Sequence, residues 1–91
     1  MMVSPMAYRV SQHALKQMFA RGISKEIVES VLLKPDQTIE QDDLMVFQSI
    51  ITDEQVNRFL IRVFVNINKA PPLVVTVYKT SKIEKYYEGK I

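Results

Sequence analysis

Two side chains stand out for the chemistry that they could do. His13 is the one residue of the chain whose ordinary pKa lies near neutral pH, and the local pattern places it on a helix. Arg62 lies in the middle of a long run of β-branched and aromatic residues. Its planar guanidinium suits phosphate, but its burial is costly unless it is paired. Three interpretations stay open for Arg62: a pair with a carboxylate such as Glu40 or Glu84, an open sheet face that holds phosphate, or plain exposure to solvent.

Further polar groups follow near the C-terminus. Tyr78 and Lys79 end the last predicted strand, where functional groups often lie, although a Tyr at a strand end also commonly covers the rim of a sheet. The lysines from Lys79 onward are by default the solvated side of a helix. We expect Tyr86 and Tyr87 to dock that helix against the sheet.

The composition bounds the class of protein. The chain has 91 residues, 47% of them hydrophobic, and no Cys, and this length fits one domain over residues 1–91. The lack of Cys excludes disulfide scaffolds, thiolate zinc sites and cysteine nucleophiles, and it fits a reducing cytoplasm. No window has the roughly 18 apolar residues that a membrane span needs, and the first ten residues do not resemble a secretory signal. We therefore expect a cytoplasmic protein that uses no membrane, no metal and no other cofactor.

Charge is distributed unevenly along the chain. The first 57 residues carry five basic and eight acidic side chains, whereas the remainder carries seven basic and two acidic ones. Such asymmetry indicates a polyanionic partner for the basic part. The simpler interpretation is a sheet edge and a final helix that lysines keep soluble.

Two amphipathic helices are predicted in the first third of the chain. Ser11 and Ser24 are N-caps, because a hydroxyl can accept from the free N–H groups of a first turn. Gly22 ends the first helix in a left-handed conformation, and Pro35 closes the second. The residues expected to face the core are Leu15, Met18 and Phe19 in the first helix and Ile27, Val28, Val31 and Leu32 in the second.

The remainder of the chain has the pattern of a sheet. Strands are expected at residues 44–51, 58–67 and 73–79, with short ones around 38–40 and 8–10. Ser81 and Glu84 form a capping box that predicts a short helix over residues 81–89. The fold class is therefore α+β, with two N-terminal helices packed on one face of a mostly antiparallel three- to four-stranded sheet and a short C-terminal helix.

Alternation along two strands assigns the faces of this sheet. The apolar face, which we place under the helices, carries Phe59, Ile61, Val63 and Val65 with Leu73, Val75 and Val77. The opposite face carries Arg62 among mixed residues. We expect this second face to be uncovered.

The segment of residues 11–24, SQHALKQMFARGIS, resembles the start of a bacterial family of small domains of unknown function, in which His-Ala, Met and Arg-Gly-Ile recur. Residues 75–78 resemble the closing strand of that family. The order of elements and the basic tail are also similar to the BrnT and RelE/ParE-type toxins of toxin–antitoxin pairs. The first resemblance covers nearly the whole chain, whereas the second rests on layout and short matches.

These resemblances imply a RelE/barnase-like fold that holds an RNA phosphate on the sheet and the flanking helix. The implied catalytic residues are His13 for proton transfer, Arg62 for charge stabilisation, and Tyr78 for base stacking or proton transfer. The implied phosphate- or RNA-binding residues are Lys16, Arg21, Lys79 and Lys82. Gln17 departs from the family, which often has Arg there, so one expected cation is missing.

Two functions stay open from the sequence. One is a metal-independent endoribonuclease toxin, with RNA as substrate and a cognate antitoxin as partner, in which the 2′-hydroxyl of the RNA attacks phosphorus. The other is a non-catalytic module that binds a partner protein, for example through its sheet edge. A nuclease needs His13, Arg62 and Tyr78 or Lys79 within reach of one phosphate, whereas a binding module needs an exposed apolar patch. The oligomeric state, including a homo-oligomer, stays open.

Overall fold

A computed structural model describes residues 7–89 of the chain. Eight elements follow one another within this range. They are β1 Arg9–Val10, α1 Gln12–Arg21, α2 Lys25–Leu33, β2 Gln37–Gln41, β3 Leu44–Thr52, β4 Arg58–Asn66, β5 Leu73–Thr80 and α3 Ile83–Tyr86.

Local signals set the ends of α1 and α2, as the sequence predicted. The Ser11 hydroxyl accepts from the N–H of Ala14 at 3.0 Å, and the Ser24 hydroxyl accepts from the N–H of Ile27 at 3.1 Å. Gly22 follows α1 with φ of 66°, a left-handed conformation that glycine adopts without steric cost. Both predicted N-caps and the predicted C-cap are therefore confirmed.

The sheet has five strands in the order β1-β5-β4-β3-β2. β1 runs parallel to β5, and the other neighbours are antiparallel, so the sheet is mixed. The α+β class agrees with the prediction. The expected three to four strands are too few, because residues 9–10 and residues 37–41 both pair with neighbouring strands.

The main core lies between one face of the sheet and the helices α1 and α2. Its buried members are Ala14, Met18, Ile23, Val28, Val31, Leu32, Ile61, Val63, Val65, Val74 and Val77. The apolar side predicted for α2 is confirmed, but that of α1 is wrong in part. Met18 is buried, whereas Leu15 is 51% exposed and Phe19 is 91% exposed. The reason is that α1 contacts the sheet through Ala14 and Met18, and the other two side chains lie further round the helix.

A β-bulge changes which residues of β5 face this core. The register between β4 and β5 shifts at residues 64–65, and the extra residue on β5 is Val75. Val74 and Val77 are consequently buried in the core, instead of the predicted alternation of Leu73, Val75 and Val77. Strict alternation is wrong here because a bulge adds one residue to one strand only.

Side chains of α1 bind the free backbone edge of β5. The Gln17 side-chain oxygen accepts from the N–H of Val77 at 2.9 Å, and Arg21 Nη1 donates to the carbonyl of Lys79 at 3.4 Å. An arginine at position 17 could not accept this hydrogen bond, because a guanidinium has donors only. Gln17 and Arg21 therefore have a structural part in satisfying the edge of the sheet.

The helix α3 lies on the opposite face of the sheet from α1 and α2. Its residue Ile83 is buried, and so are Leu60 and Val46 on the sheet face that α3 covers. The predicted capping box is wrong, since Lys82 precedes the helix and no side chain caps its first turn. In the part of the chain that the structure describes, no helix is long and apolar enough to cross a lipid bilayer.

Candidate functional site

Arg62 lies in the centre of the sheet face that α3 covers. The residue is only 5% exposed, so the expectation of an uncovered sheet face is wrong. The sequence could not show that the chain after β5 folds back over this face. Arg62 Nε donates to the side-chain oxygen of Gln48 at 2.9 Å, and Nη2 donates to that of Gln41 at 3.4 Å. The acceptors are neutral amides rather than the carboxylates of Glu40 or Glu84 that the sequence suggested.

Two aromatic rings flank the guanidinium of Arg62. Its central carbon lies 4.6 Å from the ring centroid of Tyr86 and 5.1 Å from that of Phe64. At these distances the negative faces of the rings attract the cation. Burial lowers the pKa of Arg62, and the nearby phenols of Tyr86 and Tyr78 partly oppose that effect. The guanidinium stays protonated, because arginine does not lose its proton in proteins.

One end of the guanidinium remains available to solvent. Nη1 takes part in none of the Arg62 hydrogen bonds formed within residues 7–89. Over the same residues, no side-chain nitrogen or oxygen is both buried and unpaired. Nη1 therefore keeps some contact with the surface.

Tyr86 is a perturbed titratable group next to this cation. Side-chain hydrogen bonding with Tyr78 is the main factor that lowers the pKa of Tyr86, and the charges of Lys85 and Arg62 lower it further, while burial opposes them. The rings of Tyr78 and Tyr86 meet edge to face, with centroids 5.8 Å apart. The Lys85 ammonium lies 5.4 Å from the Tyr86 centroid. A phenol of lowered pKa beside a guanidinium can exchange protons nearer to neutral pH than an ordinary tyrosine.

A basic groove lies at the start of α3. Its volume is about 390 Å³, and its lining residues are Arg58, Ser81, Lys82, Ile83, Glu84 and Lys85. Three of these side chains are cations and one is an anion, so the groove favours a negatively charged ligand. Lys85 belongs both to the groove and to the surroundings of Tyr86. The groove therefore adjoins Tyr86, whose ring in turn lies against Arg62.

The structure brings together some of the residues that the sequence proposed. Tyr78 lies directly opposite Arg62 in the antiparallel pair of β4 and β5, on the same face. Lys82 lies in the adjoining groove. Lys79 points to the other face, where its ammonium lies 4.4 Å from the ring centroid of Phe59.

The residues proposed on α1 lie elsewhere in the structure. His13, Lys16 and Arg21 are exposed on a helix whose buried side packs against the sheet face opposite Arg62. Arg21 contacts the backbone of Lys79 instead of the residues around Arg62. His13 therefore does not converge with Arg62, although the nuclease expected from the sequence requires this. The functional parts of the α1 residues stay predictions from the sequence.

Sequence reasoning missed several residues of this site, among them Tyr86 and Gln48. Tyr86 was expected only to dock the last helix. Its part in the site was missed because its lowered pKa depends on contacts with other elements, which the sequence does not show. Gln48 carried a usable signal, since it is a polar amide inside an otherwise β-rich apolar run. An amide in such a strand requires hydrogen-bond partners when it is buried.

Fold and site together describe a small α+β domain with a buried guanidinium on one sheet face and a phenol of lowered pKa on the helix α3 that covers it. Residues 10–79 match the family model described as a domain of unknown function, DUF4258. Because the match spans most of the chain, the protein belongs to the DUF4258 family. Searches of the curated proteins and of the solved structures found no match.

Proposed function

We propose that the protein is a toxin of the RelE/BrnT type that cleaves RNA without a metal ion, at the site formed by Arg62 and Tyr86. The observation that carries the proposal is the guanidinium of Arg62 placed 4.6 Å from the ring of a tyrosine whose pKa is lowered. A charge stabiliser and a proton-transfer group are the two parts that such a reaction requires. RNA is the proposed substrate, and an antitoxin is the proposed partner of the toxin.

Tyr86 acts as the proton acceptor in this proposal, in place of His13, which lies on the other side of the sheet from Arg62. Its phenolate removes the proton from the 2′-hydroxyl of the RNA, and the 2′ oxygen then forms a bond to phosphorus. The bond between phosphorus and the 5′ oxygen breaks, and the 5′ oxygen takes a proton from water. The products are a 2′,3′-cyclic phosphate and a 5′-hydroxyl. Tyr78 and Lys85 favour the phenolate, since both lower the pKa of Tyr86.

Arg62 stabilises the charge that builds up on the phosphate during this step. Its Nη1 keeps some contact with the surface, and hydrogen bonds to Gln48 and Gln41 fix the position of the guanidinium. A donor held in place before the reaction needs no reorganisation, and losing one such donor costs roughly two to three orders of magnitude in rate. Lys82 and Arg58 in the adjoining groove supply the charge that attracts the flanking phosphates.

The experiment that tests this function is RNA cleavage in the presence of a metal chelator. Purified protein is incubated with a single-stranded RNA, and the ends of the products are identified by mass spectrometry. We expect cyclic phosphate ends, no cleavage of DNA, and a rate lowered by a factor of about 10² to 10³ in Arg62→Lys, which keeps the charge but loses the fork. The matched control is Arg9→Lys, an exposed arginine on β1, which should cleave like the wild type.

Two outcomes contradict the proposal. One is wild-type protein that cleaves no RNA under any of these conditions. The other is cleavage that Arg62→Lys and Arg9→Lys support equally well. Bacterial growth gives a second readout, because expression of the wild type should slow growth and expression of Arg62→Lys should not.

A second candidate function, a module that binds a partner protein, rests on a different surface. Phe19 is 91% exposed and Leu15 is 51% exposed, and the two lie one turn apart on α1. Exposed apolar side chains of this size on a small domain are typical of protein interfaces. The double variant Leu15→Ser and Phe19→Ser should lose a co-purifying partner that Arg62→Lys retains. Equal recovery of that partner by the wild type and both variants would contradict this candidate.

A further inference from the structure

Gln48 is the most buried polar side chain around the site, and every one of its polar atoms is paired. It is 0% exposed, in the middle of β3. Its oxygen accepts from Arg62 Nε at 2.9 Å. Its nitrogen donates to the side-chain oxygen of Gln37 at 2.7 Å and to the carbonyl of Tyr86 at 3.2 Å. One amide therefore joins the guanidinium to the backbone of α3.

The same hydrogen-bond chain continues to the residues after α3. The Gln37 side chain donates to the carbonyl of Glu88 at 2.5 Å and accepts from the N–H of Glu88 at 3.0 Å. The segment from Tyr86 to Glu88 is thus fixed to β2 and β3 by two glutamine side chains. Because Tyr86 belongs to this segment, the amide chain also sets the position of its ring over Arg62.

The amides hold Arg62 without neutralising it. Among the described residues, both of its hydrogen-bond acceptors are the neutral oxygens of Gln48 and Gln41. A carboxylate at either position would fix the guanidinium equally well and would cancel its charge. A buried cation that is held by neutral groups retains its attraction for an external anion.

We infer that Gln48 is a positioning residue that orients Arg62 and anchors α3 through uncharged hydrogen bonds, so that the charge at Nη1 is left for a phosphate group. The inference takes its ligand class, a phosphate, from the proposed function. It extends that function by assigning a part to an amide that touches neither the RNA nor the reacting atoms. Gln41 supports Arg62 in the same way from the exposed side.

The test compares Gln48→Glu with the wild type in binding inorganic phosphate. The probe is the Nε–H resonance of Arg62 in a nitrogen-correlated NMR spectrum, assigned by its loss in Arg62→Lys. In the wild type we expect this resonance to shift and saturate as phosphate is added. In Gln48→Glu the dissociation constant for phosphate should rise at least about tenfold. The reason is that the new carboxylate lies a few ångströms from Arg62, and a unit charge at that distance weakens the binding of an anion by more than this factor. The control is Gln12→Glu on α1, which should bind phosphate like the wild type.

A second variant covers the case in which Gln48→Glu does not fold. Gln41→Glu places a carboxylate at an exposed position next to Arg62 Nη2, and it should weaken phosphate binding in the same direction. Gln48→Met removes the hydrogen bonds but keeps the charge of Arg62. In Gln48→Met the Nε–H of Arg62 should exchange faster with solvent. The affinity of this variant for phosphate should fall less than the affinity of Gln48→Glu. If Gln48 had a purely structural part, Gln48→Met would bind phosphate more weakly than Gln48→Glu, because only Gln48→Met loses the hydrogen bond to Arg62.

Phosphate affinity that is unchanged in folded Gln48→Glu and Gln41→Glu overturns the inference, and so does the lack of any phosphate response at Arg62 in the wild type. These outcomes are distinguishable from failure of the proposed function. Protein that binds phosphate at Arg62 but cleaves no RNA leaves the part of Gln48 in place and contradicts the nuclease alone.

Discussion

The contact between Arg62 and Gln48 leads to a prediction about stability that can be worked out from the structure. Arg62→Met removes the donor to the Gln48 oxygen, and leaving a buried acceptor unpaired costs about 1 to 3 kcal/mol. Gln48→Met removes the closest acceptor of a buried cation, and a hydrogen bond to a charged group contributes about 1.5 to 3 kcal/mol. Each single variant should therefore lower the free energy of unfolding measurably.

The double variant should recover much of this loss. Replacing both partners by apolar side chains of similar shape leaves neither an unpaired Gln48 oxygen nor a cation without its closest acceptor, so for this one contact the change can be nearly neutral. The hydrogen bonds of Gln48 to Gln37 and Tyr86 are lost in both Gln48→Met and the double variant, so they cancel in the cycle. We expect a coupling energy of about 2 kcal/mol between positions 48 and 62.

Urea unfolding, followed by circular dichroism, measures the four free energies of this cycle. The matched control is the cycle of Arg62→Met with Gln41→Met, in which the contact is 3.4 Å long and Gln41 is exposed. Its coupling energy should be below about 0.5 kcal/mol, because an exposed partner can bind water instead. Equal coupling in the two cycles, or additive effects of the Arg62 and Gln48 substitutions, would refute the reasoning.

Three further predictions concern single side chains. Tyr78→Phe should raise the pKa of Tyr86 toward its ordinary value of 10.0, which ultraviolet titration of the phenols measures. A backbone hydrogen bond is the main cause that lowers the pKa of Asp53 in the folded protein below its ordinary value of 3.8. The stability that Asp53 contributes is therefore present at pH values above 3.8 and is lost as the pH falls through the lower pKa of the folded state. Asp53→Asn should therefore remove part of the acid-induced loss of stability below about pH 4, as measured by thermal unfolding at several pH values. Gln17→Leu leaves the N–H of Val77 without its acceptor and should cost about 1 kcal/mol in urea unfolding.

Each of these predictions has an outcome that contradicts it. An unchanged Tyr86 titration in Tyr78→Phe would mean that the two hydroxyls do not interact. The Asp53 prediction is wrong when the variant and the wild type lose stability in parallel as the pH falls. The Gln17 prediction is wrong when Gln17→Leu unfolds at the same urea concentration as the exposed control Gln12→Leu.

Features that depend on neighbours in the chain could be predicted from the sequence. Ser11, Ser24 and Gly22 set the ends of α1 and α2, because a cap needs only the residues of one turn. The apolar face of β4 follows from simple alternation, since a central strand has one side chain per face every two residues. The short strands β1 and β2 were also indicated, although their pairing makes the sheet larger than the three to four strands expected.

Features that depend on distant contacts could not be predicted. The bulge at Val75 depends on how β5 pairs with β4, and it moves the core positions of the strand. The burial of Arg62 depends on where the segment after β5 packs, and the residue types alone left its exposure open. The lowered pKa of Tyr86 results from groups on β4, β5 and α3 that meet only in the folded chain.

The pH dependence of RNA cleavage tests the central claim most directly, because it reports the proton transfer assigned to Tyr86. The initial rate is measured with a chelator present for the wild type, for Tyr86→Phe and for the neighbouring control Tyr87→Phe. The account predicts that the wild type and the control gain rate as the pH rises through a pKa below 10.0, and that Tyr86→Phe loses this rise along with most of its activity. A wild type without cleavage, or a Tyr86→Phe variant with the rate and pH profile of the control, would contradict it.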